Sequence, residues 1–199
     1  QTNRRTDEWG GSLQNRLRFP LAVVDAVAAV KAHAKPDFIL GYRFSPEEPG
    51  EQGITMAETF VLIDELVQKP LQYLHVSLND FYKKARRGAD TNRTRMALLH
   101  ERIAGHLPLI GVGNLYTGSD ITKAFNTGWA EFIALGKTVL INPDLADLLR
   151  ENRDADIQTD LDPDRADRYR LPEALWQRCL TNSPWLPPVK GMERQIVDI

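Results

Sequence analysis

The chain has 199 residues, 42% of them apolar and 26% charged, with a formal net charge of −2. That length supports one sizeable core, and the mix is neither that of a disordered nor of a fibrous chain. The even charge balance excludes a nucleic-acid coat or a binder of anionic membranes, and no run of about 18 apolar residues offers a membrane span. The lone Cys179 can form no internal disulfide, which fits a reducing, cytoplasmic compartment. The polar opening Gln1-Thr2-Asn3-Arg4-Arg5-Thr6-Asp7 has no secretory pattern and reads as a segment that begins mid-sequence.

In chain order, Ser12 is placed to cap a first helix that turns Leu17, Val24, Val27 and Val30 inward, with Pro20 kinking it or marking a restart. A first apolar run, Phe38–Tyr42, follows. Thr55-Met56-Ala57-Glu58 is a capping box ahead of Phe60, Leu62, Ile63 and Leu66. The second apolar run is Tyr73–Val76, and Asn92 is expected to cap a helix that buries Met96, Leu99 and Ile103. The third run is Leu109–Val112, followed by a helix opened by Thr117 or Ser119 and ended near Gly128. The fourth is Phe132–Leu135, after which Asn142-Pro143-Asp144 opens a short helix.

None of the four runs alternates in polarity, as expected of strands covered on both faces of a parallel sheet. Helical stretches separate them, so each connection reads as a right-handed βα crossover and the fold class as α/β. Residues 1–150 form the predicted body; 151–199 form a polar linker rich in Asp and Arg, a short helix over 171–180 and a Pro-rich extended tail from Pro184 to Lys190. An open doubly wound sheet lacks its G-x-G-x-x-G turn here, and a (β/α)8 barrel needs twice as many units.

Two glycine-containing turns mark phosphate handling. Gly111-Val112-Gly113-Asn114 ends the third strand, and Gly136-Lys137 ends the fourth just before a short helix. Glycine lets backbone N–H groups approach an anion, and Lys137 adds a point charge. Tight βα turns alone would use the same glycines. Arg43, at the C-terminal end of the first strand, is permanently charged and needs either a ligand anion or a neighbouring carboxylate. His75 ends the second strand and either lines a pocket or serves as a hydrogen-bonded structural residue. No HExxH, paired cysteines or G-x-S-x-G elbow is present, so metal and serine-hydrolase chemistry find no motif.

The opening stretch from Asn3 to Phe19 (NRRTDEWGGSLQNRLRF) closely resembles the signature N-x-R-x-D-x-[YW]-G-G-S-x-x-N-R-x-R-F of the Old Yellow Enzyme family, the FMN-dependent ene-reductases also described as NADH:flavin oxidoreductases. Gly41-Tyr42-Arg43-Phe44-Ser45-Pro46 resembles that family's fifth strand, Ile110 to Asn114 its seventh and Ala134 to Lys137 its eighth. The resemblance implies a (β/α)8 TIM barrel of which this chain holds roughly strands 5–8, their helices and a C-terminal tail. It implies FMN as cofactor and NADH or NADPH as reductant. Arg43 then approaches the pyrimidine edge of the flavin, and Gly113, Asn114, Gly136 and Lys137 bind its phosphate. Lys137 departs from the family's usual Arg, keeping the charge but losing the bidentate fork.

The family's substrate-activating pair and proton-donating Tyr precede the matched signature, so the resemblance assigns no catalytic residue here. It implies a parent enzyme that reduces activated alkenes or related small-molecule electrophiles, whose missing N-terminal half is this chain's partner. The chain alone is expected to turn over no enone. The other readings are a non-catalytic half-barrel that binds a phosphorylated ligand, and a self-assembling module or homo-oligomer. Neither nucleic acid nor membrane is an expected partner.

Overall fold

The computed structural model describes residues 2–31, 33–35 and 37–194. Helix α1 (Leu13–Lys31) precedes four βα units: β1 (Gly41–Phe44) with α2 (Met56–Leu66), β2 (Tyr73–Val76) with α3 (Arg95–Ile103), β3 (Leu109–Val112) with α4 (Gly118–Asn126), and β4 (Phe132–Ala134) with α5 (Lys137–Ile141) and α6 (Leu145–Arg150). A 3-10 turn (Asp154–Asp156), α7 (Ala166–Tyr169) and α8 (Glu173–Cys179) follow. All three strand pairings are parallel, in the order β1-β2-β3-β4.

Side-chain capping explains the starts of the first four helices. Thr55 accepts the Glu58 N–H while the Glu58 carboxylate accepts the Thr55 N–H, closing the expected capping box. Thr117 and Asp120 repeat it on α4, so Thr117 rather than Ser119 is the cap. Ser12 accepts the Asn15 N–H at the start of α1. The third cap is Thr94 and not Asn92: the Asn92 N–H is taken by the Asp90 carboxylate in a turn, which delays the helix by two residues.

Three other expectations are corrected. The first strand lies over Gly41–Phe44 instead of Phe38–Tyr42, because pairing with β2 begins at Gly41↔Tyr73 and leaves Ile39 66% exposed. Helix α1 runs through Pro20 without a restart, and Val30 in its last turn is 65% exposed, past the end of the surface that Leu17 and Val24 cover. Within the Asp- and Arg-rich stretch, Ile157 and Leu161 are buried. Leu161 pairs with Val189 of the Pro-rich tail, so the tail folds back toward the body. Tyr116 and Ile141 share a core cluster with Leu161, Tyr169, Trp176 and Cys179.

The sheet has one dry face. Leu74, Val76, Leu109 and Gly111 are buried together with Met56, Ile63, Leu66, Met96 and Leu99 of the helices. On the opposite face Arg43, His75, Ile110 and Phe132 form one row across the four strands. Phe132 is 58% exposed there. Helices therefore cover one side of the ladder, and the row that runs through Arg43 faces outward.

Candidate active site

The strands are parallel, so their C-terminal ends share one rim, where α/β sheets bind ligands. A cleft of about 710 Å³ lies at that rim. The five residues that the family resemblance assigns to the cofactor, Arg43, Gly113, Asn114, Gly136 and Lys137, line it, and His75 is not part of the lining.

The turn after β3 depends on glycine. Gly113 has φ +138, and a Cβ there would sit 2.5 Å from the backbone N of Phe81. The Phe81 N–H donates to the Gly113 carbonyl, which explains the close approach. Asn114 follows at φ +44. The turn after β4 is held against it by one side chain. Thr138, 2% exposed, donates from Oγ1 to the Leu115 carbonyl at 2.5 Å. The residue after Lys137 is thus bonded to the residue after Asn114, and this brings the two glycine turns side by side. A Cβ at Gly136 would meet nothing within 4 Å, so that turn is open to the cleft.

Arg43 reaches the rim from β1, and its Nη2 donates to Ser77 Oγ at 2.9 Å. Arg43 is exposed, because it stands on the uncovered sheet face. No carboxylate pairs with it among the described residues. Lys137 is half-buried and donates from Nζ to the Pro184 carbonyl at 2.8 Å. Burial, and then the charge of Arg194, lower its pKa below the ordinary lysine value.

Cations exceed acids in the lining: Arg43, Lys123, Lys137 and Arg194 against Asp80 and Asp120. Both acids already serve backbone. Asp80 accepts the Tyr82 N–H, and Asp120 accepts the Tyr116 and Thr117 N–H groups. Burial opposes charge on Asp120, but those hydrogen bonds outweigh it and hold the carboxyl below the ordinary value. Sequence reading missed Tyr116, Trp185 and Arg194, all part of the lining. Tyr116 lies two residues beyond Asn114 and was within reach of the motif; Trp185 and Arg194 arrive through the folded-back tail, which carries no local signal.

The sequence model of the NADH:flavin oxidoreductase / NADH oxidase family matches residues 1–156. The chain belongs to that family. A probable NADH-dependent flavin oxidoreductase of Bacillus subtilis, YqiG, is 46% identical over 188 residues, covering 94% of this chain and 50% of the relative. Morphinone reductase in complex with tetrahydroNAD superposes with a TM-score of 0.59 at 28% identity, covering 98% of this chain and 47% of its own. The old yellow enzyme homologue from Zymomonas mobilis superposes at 0.58 over 88% of this chain and 46% of its own; at 21% identity that likeness is one of fold. The chain spans half or less of the length of these proteins, and its four βα units are about half of an Old Yellow Enzyme TIM barrel. The family's cofactor is FMN and its reductant is NADH or NADPH.

Proposed function

We propose that this chain is the C-terminal part of an FMN-dependent NAD(P)H oxidoreductase that reduces activated alkenes or related electrophiles, and that Arg43, Gly113, Asn114, Gly136 and Lys137 bind the cofactor. The observation that carries this reading is the meeting of those five residues in one cleft whose acids are already engaged and whose cations are in excess. Its two glycine turns are tied together by Thr138, and the one at Gly136 leaves backbone open to a ligand. The chemistry of this donor set fits a planar ligand with a phosphate tail.

When bound, FMN supplies hydride relay between NAD(P)H and an electron-poor acceptor. The residues of this chain position it. The backbone at Gly113–Asn114 and Gly136 offers N–H donors to the phosphate, and Lys137 offers a charge once its bond to the Pro184 carbonyl is exchanged for the anion. Arg43, held beside the Ser77 hydroxyl, would supply a fixed positive charge to the flavin ring. No proton donor for the acceptor is assigned to this chain. A cytoplasmic setting accords with NAD(P)H as reductant and with the single buried Cys179.

The test is flavin retention. The chain passed through gel filtration should carry FMN in preference to riboflavin, and Lys137→Ala should remove that preference. With FMN, NADPH and cyclohexenone the chain alone should show no enone-dependent NADPH oxidation. Equal retention of FMN and riboflavin by the unaltered chain would overturn the site assignment.

A further inference from the structure

The tail that follows α8 contributes more than cover. Arg194 lines the same cleft as Gly113, Asn114, Gly136 and Lys137, yet it stands 57 positions beyond Lys137. Its guanidinium lies 4.9 Å over the Tyr116 ring, and the Tyr116 hydroxyl donates to Asn114 Oδ1 at 3.5 Å. On the other side its charge reaches Lys137 and, after burial, lowers that ammonium's pKa. Arg194 is therefore coupled to both glycine turns, to one through an aromatic ring and to the other through the field.

Its hydrogen bonds fix how it is aimed. Nε and Nη2 donate to the Asp160 carboxylate, with Nη2 at 3.0 and 3.1 Å from its two oxygens, and Nη2 also reaches the Thr159 carbonyl. Nη1 has no hydrogen-bond partner among the described residues. A guanidinium carries five N–H donors in a rigid plane, so an anchored Nε/Nη2 edge leaves the Nη1 hydrogens oriented but unused. Beside it, Lys137 is a point charge without a fork and is partly engaged by the Pro184 carbonyl.

We infer that Arg194 is a further phosphate-binding residue, donating from Nη1 to the phosphate monoester of FMN and supplying the planar donor that position 137 lacks. Asp160 and Tyr116 are its positioning residues. The inference rests on the proposed FMN site and adds a ligand from outside the stretch, residues 1–156, that the family model matches.

The experiment compares FMN with riboflavin, which differ only in the phosphate, by quenching of flavin fluorescence on the full chain and on Arg194→Gln and Arg194→Lys. Loss of one charge-assisted hydrogen bond should weaken FMN about tenfold or more in Arg194→Gln while riboflavin affinity stays constant. Arg194→Lys should recover part of the loss, and Asp160→Asn, which frees the guanidinium, should weaken FMN less than Arg194→Gln does. A merely structural latch would change both flavins alike, and that result overturns the inference. So does an Arg194→Gln chain with an unchanged FMN-to-riboflavin ratio, while the unaltered chain's preference for FMN keeps the site itself standing. An unaltered chain with no preference for FMN overturns the site, and this inference with it.

Discussion

Glu47→Gln should unfold the rim from beneath. Glu47 and Arg95 are each 1% exposed in their side chains, with Oε2 2.7 Å from Nε. The two Glu47 oxygens also accept the Arg86 and Arg87 backbone N–H groups at 2.9 and 3.0 Å. One carboxylate thus joins the loop after β1 to the loop after β2 and to the first residue of α3. Gln keeps the volume but removes the charge and replaces one acceptor oxygen by an NH₂ donor. That donor must face either a backbone N–H or the buried guanidinium. Removing one partner of a buried ion pair costs about 3–5 kcal/mol, and a further buried N–H left unpaired costs about 1–3 kcal/mol. Against a typical total stability of about 5–15 kcal/mol, the sum is a large part of what holds a domain folded. Urea denaturation followed by circular dichroism measures it, with Asp147→Asn as the control, since the Arg150–Asp147 pair is exposed. A Glu47→Gln midpoint no lower than that of the control would refute the reasoning.

Four further outcomes follow from the geometry. Gly113→Ala puts a Cβ 2.5 Å from the Phe81 backbone N at φ +138; it should lower the urea midpoint and abolish FMN preference, and a variant that keeps both would show that the turn relaxes freely. Lys137→Arg restores a bidentate fork and should tighten FMN but not riboflavin, read by the same fluorescence titration. Burial and then Arg43 hold the His75 pKa below its ordinary 6.5; between the lowered folded value and 6.5 the unfolded chain binds more protons, so stability rises with pH across that window and levels off above it. His75→Gln should remove that part of the slope in denaturation midpoints, and an unchanged slope would refute it. Thr55→Ala breaks the α2 capping box and should cost about 1 kcal/mol, lowering Tm by about 2–4 °C by calorimetry.

What was legible in the sequence was local. The second and third strands match their apolar runs residue for residue, and the Thr55–Glu58 box closes as written, because each rests on neighbours a few positions apart. The first strand shifted because its start is set by register with Tyr73, far along the chain. Asn92 lost its expected role to Thr94 because Asp90 competes for the Asn92 N–H. At the site, Gly113 and Gly136 announced themselves, since a turn that needs glycine leaves glycine in the sequence. The exposure of Arg43 depended on which sheet face lacks helices. The Glu47–Arg95 pair and the arrival of Arg194 beside Tyr116 join residues 48 and 78 positions apart, and no local pattern encodes either.

The strand order β1-β2-β3-β4 means that β1, β2 and β3 each pair with the next strand to be synthesised. The intervening segments, residues 45–72, 77–108 and 113–131, are of comparable length. None is twice another, so the entropy of closing each differs by less than about 0.6 kcal/mol. Pairing among these four strands can then proceed in the order of translation, one rung after the last. Damage is correspondingly unequal. A chain that stopped before β4 would keep both earlier ladders, whereas one in which β2 failed to dock would lose two at once.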